Sequence, residues 1–420
     1  MRFLRRITVL LPCLLFLVIE LGCGDQYRPI ANPIVSPGGQ PQTTHFAYVL
    51  NYNPVGNGSN TKIDVSGDTN LQVVSTGLGS VAQAFQGSVA GAIFVANRDS
   101  DTVSEFTLIS TPAVINIGLY PGSRPVGLAA SATNLMYVSN SGTTSVCPLT
   151  GSLSVINTAS LVVSSTVCLG INPGPIVQLP NGGNVFIANQ GDNSISVYSP
   201  TSLSVVATIT AANGLHQNPV SLVASDDGLY VFVVTQGNGS SPGTLDIINA
   251  ATNTVGASVP LGVSPTYGYL DSVLNRLYVT NTGSNSVSVF DVSNVVLTAN
   301  PAIPTLATVN VGTAPVSVTA LPNGLSVYVA NSLSNDVSVV NSTNLSVVTT
   351  VAVGQNPMFI ASEPTSTKVF TANANSGTIS IINAVNNTIA ITMPAPQQDP
   401  TCDTQTSTCP LQRPQMILTQ

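Results

Sequence analysis

Side chains that could carry acid–base or nucleophilic chemistry are scarce in this sequence. Its 420 residues include two histidines, His45 and His216, and only 6% of the residues are Asp, Glu, Lys or Arg. A Ser-His-Asp arrangement would require one of these histidines beside an activated serine, and no nucleophile elbow marks such a serine. The sequence therefore favours a protein that is not an enzyme.

Metal-binding patterns are equally weak. The segment NRDSDT (97–102) places oxygen ligands at alternate positions, as the start of a calcium loop does. However, Thr102 stands where such a loop has its glycine and Leu108 where it has its glutamate. Zinc sites need close cysteine pairs or histidine partners. We expect neither a metal ion nor any other cofactor, and we interpret 97–102 as a solvated turn.

The first 23 residues have the pattern of an export signal. MRFLRR carries three arginines, and the apolar run Ile7–Ile19 is followed by ELGCGD. The run has 13 residues, fewer than the roughly 20 that a bilayer-spanning helix needs. Gly22 and Cys23 resemble the end of a bacterial lipoprotein signal, although Glu20 stands where that motif has an apolar residue. The resemblance implies acylation of Cys23 and a lipid-anchored protein of the bacterial cell envelope; an ordinary secretory signal is the alternative.

The rest of the chain is acidic. Without the signal it holds 16 acidic and 7 basic residues, a net charge of −9, and its Lys and Arg residues form no cluster. Nucleic-acid binding depends on such clusters to neutralise phosphates. We therefore expect no nucleic-acid partner, and contact with a membrane through the lipid anchor only.

A short apolar segment ending in Asn recurs along the chain. It occurs eight times, as AYVLN (Asn51), IFVAN (Asn97), MYVSN (Asn140), VFIAN (Asn189), VFVVTQ (Gln236), LYVTN (Asn281), VYVAN (Asn331) and VFTAN (Asn373). The spacing between copies is 42 to 50 residues, a period that indicates a solenoid or a propeller.

Each repeat contains four short strands. After the Asn segment come two alternating runs, such as DVSVVN (336–341) and LSVVTTVAVG (345–354), and then a Pro-led run such as PMFIASE (357–363). Alternation with period two predicts strands with one buried face. Four strands are the content of one propeller blade. We expect the Asn amide to hydrogen-bond nearby backbone and to start the turn out of its strand in a left-handed conformation.

The segments LYVTNTGSNSVSVF and VYVANSLSNDVSVVN closely resemble the YVTN β-propeller repeat family. The resemblance covers residues 47–393. It implies an all-β fold, a β-propeller of four-stranded blades. The family mostly groups secreted or surface proteins and does not specify a function.

A ring of eight blades needs an eighth Pro-led strand, because an open sheet edge leaves backbone groups unpaired. RPQMILTQ (413–420) matches NPMFIASE (356–363) in its proline and apolar pattern, so we expect it to close the ring beside AYVLN. NPIVSPGG (32–39) is a competitor, and seven blades remain the alternative if the first repeat packs outside the ring. The expected layout is a signal (1–23), a Pro/Gly-rich tether (24–46) and one propeller domain (47–420).

Four cysteines remain after the signal and Cys23. Their even number in an exported protein predicts disulfides, for which three pairings are possible. Cys402 and Cys409 lie seven residues apart in TCDTQTSTC and are expected to pair. Cys147 follows MYVSN and Cys168 ends the fourth strand of the same blade, so a bond between them on one rim is geometrically reasonable.

The turns after the Asn segment and the connections before the Pro-led strand should share one rim of the ring. The charged and aromatic residues there are the candidate ligand-binding residues Arg98, Asp99, Arg124, His216, Tyr267 and Arg413, with Arg276 nearby. Arginines around one channel mouth could hold a carboxylate. The alternative is ordinary solvation of the loops.

These observations favour a cell-envelope binding or scaffold module for a protein, a glycan or a small anionic ligand. A second hypothesis is a lactonase-like hydrolase, because HFAYVLNYN (45–53) looks similar to the start of such propellers, whose hydrolysis is tied to His, Glu and Arg in the channel. Only Glu105 and Glu363 are available after the signal, and we expect Glu105 to lie away from the mouth. A structural surface-layer or adhesion role is the third hypothesis.

Overall fold

The computed structural model describes residues 46–54, 56–65, 67–86, 91–107, 113–299, 302–395 and 412–419. The predicted signal, Cys23, the tether up to residue 45 and the Cys402–Cys409 pair lie outside the described residues. Within them, no helix is long and apolar enough to cross a membrane. Three 3-10 helices lie in connections, at Pro180–Gly182, Ala211–Asn213 and Thr282–Ser284.

The described chain forms eight four-stranded antiparallel sheets. The first fifteen strands are β1 (Phe46–Tyr52), β2 (Asn57–Asp64), β3 (Thr69–Leu78), β4 (Ser80–Gln86), β5 (Ala92–Asn97), β6 (Thr102–Thr107), β7 (Val114–Gly118), β8 (Pro125–Ala130), β9 (Leu135–Asn140), β10 (Ser152–Asn157), β11 (Val162–Cys168), β12 (Pro173–Gln178), β13 (Val185–Asn189), β14 (Ser194–Ser199) and β15 (Ser204–Ile209). The others are β16 (Pro219–Ala224), β17 (Tyr230–Thr235), β18 (Pro242–Asn249), β19 (Thr254–Val263), β20 (Pro265–Asp271), β21 (Arg276–Asn281), β22 (Ser286–Asp291), β23 (Thr305–Asn310), β24 (Pro315–Ala320), β25 (Ser326–Asn331), β26 (Asp336–Asn341), β27 (Ser346–Ala352), β28 (Pro357–Ser362), β29 (Lys368–Asn373), β30 (Thr378–Asn383), β31 (Thr388–Pro394) and β32 (Arg413–Thr419).

The sheets are the blades of a closed propeller. Blade 1 has the order β32-β1-β2-β3 from the channel outwards, blade 2 is β4 to β7, and each later blade takes the next four strands, up to β28 to β31 in blade 8. The innermost strands contact one another around the whole ring, and β32 touches both β28 and β4. The predicted eight blades and C-terminal closing strand are therefore confirmed. The seven-blade alternative is wrong, and β32 fills the place for which residues 32–39 competed.

Adjacent blades hold each other through shared apolar clusters. In one of them Tyr137 and Leu153 of blade 3 pack with Ile187 and Tyr198 of blade 4, and all four are fully buried. The two tyrosine rings have centroids 5.9 Å apart. Burying each such side chain contributes about 1.5–3 kcal/mol. The second strand of each blade is buried on both faces because neighbouring blades pack against both faces of its sheet.

The third strands differ from the prediction of one buried face. Their alternating serines are buried as well: Ser196 is 2% exposed and Ser380 is 0% exposed. A hydroxyl can be buried at little cost when it is hydrogen-bonded, and these hydroxyls accept from the repeated Asn. In blade 4, Asn189 Nδ2 donates to Ser194 Oγ and to Ser196 Oγ, both at 2.9 Å.

The predicted role of the repeated Asn is therefore wrong in its mechanism. Its amide bridges to the third strand, and Asn281 has φ −108°, outside the left-handed region. Equivalent bridges start from Asn51, Asn97, Asn140, Asn281, Asn331 and Asn373. In blade 5 the position belongs to Thr235, which pairs with Thr244 as Asn281 pairs with Ser286, and not to Gln236.

The predicted Cys147–Cys168 disulfide is confirmed. It joins residues whose Cα atoms lie 5.4 Å apart and ties the 141–151 loop of blade 3 to the end of β11. Cys147 is 1% exposed. The bond therefore restrains the 141–151 loop, which connects β9 and β10.

Replacing both cysteines by serine should lower the free energy of unfolding by about 3 kcal/mol, because the bond closes a loop with a sequence separation of 21 residues. Urea titration followed by circular dichroism measures the change. If the urea midpoint equals that of the wild type and the dependence of the unfolding free energy on urea is unchanged, the loop is restrained without the bond.

Candidate functional site

One rim of the propeller is built from two families of loops, as predicted. In blades 2 to 8 the turn after the second strand is hydrogen-bonded to the connection that enters the inner strand of the same blade. Arg98 N donates to Gly79 O at 2.9 Å, and Ser141 N donates to Arg124 O at 3.0 Å. We call this end of the ring the loop rim.

The residue just before each inner strand occupies an equivalent position at the channel mouth. These residues are Gly79, Arg124, Asn172, Asn218, Ser264, Ala314 and Asn356, all with φ between 49° and 67°, and Arg413, the first residue of β32, before Pro414. Because the left-handed conformation recurs in blades without a charge, it belongs to the blade architecture. The strain at Arg124 is therefore no sign of function by itself.

Blade 2 supplies the groups that hold Arg124 in place. Asp101 Oδ1 accepts from Arg124 N and Asp101 Oδ2 accepts from Gly122 N, both at 2.8 Å. Asn193, Asn285 and Asn335 accept equivalent backbone hydrogen bonds in other blades. Asp101 is thus a structural acceptor, which explains why the calcium-like spacing of 97–102 belongs to a turn.

Arg98, Asp99 and Arg124 lie together. Asp99 accepts from Arg98 Nε at 2.9 Å and from Arg98 Nη2 at 3.2 Å, while Arg124 Nη2 is 4.0 Å from Asp99 Oδ1. The hydrogen bond from Arg98 holds the pKa of Asp99 below its usual value, and the bond to Asp99 raises that of Arg98. Arg124 keeps 58% of its side chain exposed, and at 4.0 Å its Nη2 is beyond hydrogen-bonding distance of Asp99 Oδ1.

A cavity of about 750 Å³ opens beside these arginines on the loop rim of blades 2 to 4. It is lined by Arg98, Gly122, Arg124, Val126, Ser141, Gly142, Thr143, Asn172, Pro173, Gly174 and Gln190. Two guanidinium groups among neutral hydroxyl, amide and backbone groups can bind a carboxylate or a phosphate. Two carboxylates lie next to this cavity: Asp99 accepts from Arg98, and Asp101 accepts from the backbone N–H groups of Gly122 and Arg124.

The other candidate residues lie elsewhere. Arg413 is exposed and pairs with Tyr52 on the same rim in blade 1. Tyr267 lies inside the channel, where its ring meets Phe359 across blade 7 at 6.0 Å, and burial raises the pKa of its hydroxyl to about 12. Arg276 starts β21 at the opposite rim and donates to Ser342 O, so the prediction that it lies near the arginines is wrong.

His216 forms a separate cluster on the loop rim of blade 5. Asp246 on β18 is fully buried, and its Oδ1 lies 2.7 Å from His216 Nδ1, while its Oδ2 accepts from His216 N at 2.7 Å. Ser258 Oγ donates to Asp246 Oδ1 at 2.6 Å. Asp246 was not among the predicted residues, although an Asp where the other repeats have a buried Ser or Thr was a usable signal.

Glu105 and Glu363 do not contribute to the rim. Glu105 is 6% exposed on β6, a third strand, as expected. Glu363 lies in the turn after β28 at the opposite rim, where Thr365 Oγ1 and Thr367 N donate to its carboxylate. Among the described residues, no group of three or more His, Cys, Asp or Glu side chains could hold a metal ion.

Burial raises the pKa of Glu105, so the folded protein holds this proton more tightly than the unfolded chain does. The favourable contribution is present in acid and is lost as the pH rises above the usual glutamate value of 4.5. We expect Glu105→Gln to be more stable than wild type at neutral pH, with a difference that shrinks toward pH 4.5. Urea unfolding at several pH values measures it, and a constant difference would contradict the assignment.

Comparisons with known proteins support the fold. Residues 249–402 match the family described as "Lactonase, 7-bladed beta-propeller". The matched segment is less than half of the chain. No curated protein matches the chain in sequence. It is similar to the Kuenenia stuttgartiensis hydrazine synthase, with 16% identity, TM-score 0.55, and coverage of 73% of this chain and 95% of that one.

Two further structures are similar over most of their length. Apo AztD from Citrobacter koseri has 11% identity and TM-score 0.60, with 90% of this chain and 99% of that chain covered. The dihydro-heme d1 dehydrogenase NirN in complex with DHE has 11% identity and TM-score 0.67, with 92% and 78% covered. At these identities the similarity shows the propeller fold alone.

Proposed function

We propose that this chain is an exported, lipid-anchored cell-envelope protein whose propeller acts as a binding or scaffold module. Its loop rim holds an anionic group of an envelope protein, a glycan or a small molecule. The export signal and Cys23 support the location, and the repeat pattern matches that of YVTN propellers. Labelling with a fatty-acid analogue tests the anchor: the wild type should incorporate it and Cys23→Ser should not.

The observation that carries the binding role is the pairing of Arg98 and Arg124 at one cavity. Two of the chain's ten Lys and Arg residues line this one depression, so two guanidinium donors meet there in a chain of formal charge −7. Asp99 neutralises Arg98, whereas Arg124 is exposed and reaches no closer than 4.0 Å to that carboxylate. An incoming carboxylate therefore gains a charge-assisted partner without displacing a buried ion pair.

Isothermal titration of the full chain with citrate, a small polycarboxylate, tests this binding site. We expect saturable binding that weakens as salt is raised, because the site is exposed. Arg98→Gln/Arg124→Gln should weaken binding at least tenfold, since a hydrogen bond to a charged group contributes about 1.5–3 kcal/mol.

Arg276→Gln is the matched control for the single variant Arg124→Gln, because each removes one positive charge and Arg276 lies at the opposite rim. Equal losses in these two single variants would assign the effect to net charge and remove the rim site. For a macromolecular partner, cross-linking in the native envelope should recover one dominant protein that the double variant does not recover.

A lactonase-like hydrolase is the second candidate, favoured by the family match over residues 249–402. Against it, the matched segment excludes Arg98 and Arg124, and both described glutamates lie away from their cavity. Incubation with gluconolactone in a pH-stat should release acid equally fast with the wild type and with Arg98→Gln/Arg124→Gln. Release that depends on the two arginines would replace the binding role with lactone hydrolysis.

A further inference from the structure

Blade 5 departs from the repeat at its third strand. In the other seven blades this position carries a buried hydroxyl that accepts from the repeated Asn, as Ser288 does from Asn281 at 2.9 Å. In blade 5 the Asn is replaced by Thr235 and the hydroxyl by the carboxylate of Asp246, opposite Val233. Thr235 Oγ1 donates instead to Thr244 O at 2.9 Å. The carboxylate of Asp246 therefore accepts from groups other than the second strand.

An unusually long connection brings the partner. Residues 210–218 join β15 to β16, whereas residues 311–314 suffice between β23 and β24. The long connection is ordered by a capping box of Thr210 and Asn213 and is anchored by Leu215, which is 4% exposed. It delivers His216 to Asp246 with half of the imidazole side chain in solvent.

The three donors around Asp246 fix the orientation of the imidazole. A carboxylate that accepts from Nδ1 keeps the ring proton on that atom, so the lone pair of a neutral imidazole is on Nε2. Nδ1 lies against the fully buried Asp246, so Nε2 is the ring nitrogen left for a molecule that reaches this half-exposed side chain. Ser258 and the backbone N–H of His216 hold the carboxylate in turn.

We propose that His216 is a general base that hydrolyses simple carboxylic esters at the loop rim of blade 5, an activity separate from the anion binding proposed above. Asp246 is its positioning residue. Nε2 takes a proton from water as the water oxygen bonds to the ester carbonyl carbon and the carbonyl π electrons move to oxygen. On collapse, the bond to the alcohol oxygen breaks and the imidazolium returns the proton to it, so that ester and water give acid and alcohol.

Hydrolysis of p-nitrophenyl acetate by the full chain tests the proposal. The second-order rate constant should exceed that of free 4-methylimidazole at least tenfold. His216→Gln should lose at least tenfold, and it should fold because the side chain is half exposed. His45 is the second histidine of the chain, so His45→Gln is the matched control and should keep the rate.

Asp246→Asn separates positioning from support of the fold. With the tautomer no longer fixed, it should lower the rate and change the pH profile of the fraction that remains folded. A wild-type rate equal to that of 4-methylimidazole, or equal rates for wild type and His216→Gln, would overturn the proposal. So would an equal loss in His45→Gln.

Discussion

A chain that lacks residues 413–420 should lose more than about 5 kcal/mol of stability and aggregate at concentrations where the wild type is monodisperse. The deletion removes β32, which pairs along β1 from Ala47↔Thr419 to Tyr52↔Arg413. It also removes Ile417, which is 1% exposed and packs with residues of blades 1 and 8. Thermal unfolding and size-exclusion chromatography measure both effects.

Two controls connect this result to ring closure. Ile417→Ala keeps the backbone pairing and should lose only about 2–5 kcal/mol, the usual cost of truncating a buried side chain. The synthetic peptide RPQMILTQ added to the truncated chain should restore part of the stability by strand addition. A truncated chain that melts like the wild type would show that blades 8 and 1 hold together without β32.

Asp246→Ala should lower the free energy of unfolding by about 2–6 kcal/mol, because each of the two donors that lose their acceptor costs about 1–3 kcal/mol. The change leaves the backbone N–H of His216 and the hydroxyl of Ser258 without their acceptor. It also empties a position that is fully buried between strands. Urea unfolding gives the value directly.

Ser196→Ala is the matched control, because Ser196 holds the equivalent position in blade 4. It loses one neutral hydrogen bond from Asn189, which keeps its bond to Ser194. The expected loss is about 1 kcal/mol. If the two variants lose equal amounts, Asp246 contributes no more than an ordinary repeat hydroxyl and the cluster around His216 is only a surface contact.

Most of the fold is predictable from the sequence because every blade repeats the same local pattern. The proline of β32 and its apolar alternation suffice to identify the closing strand in a segment remote from the other repeats. Burial of the third strands is not predictable from alternation, since a serine reads as solvent-facing unless its buried partner is known. Asn189 and Ser196 lie on different strands, and only the register between these strands shows that they meet.

The candidate site is predictable only in part. The shared rim follows from topology and brings Arg98 next to Arg124, as expected. Arg276 was misplaced because a residue at the start of the second strand lies one strand length away from the loop rim. Tyr267 lies inside the channel because it comes after the start of its inner strand, β20, which runs away from the loop rim. Asp246 can be recognised as unusual only when equivalent positions of the eight blades are compared.

A left-handed residue precedes seven of the eight inner strands, and this repetition affects how such rings diversify. Its backbone conformation is imposed by the blade, and Gly79, Ala314, Asn356 and Arg124 all adopt it. A point substitution at one of these positions changes one side chain at the channel mouth while the ring beneath stays the same. The side chains that contact a ligand can therefore change while the fold stays the same. Propellers of one shape can in this way serve unrelated functions.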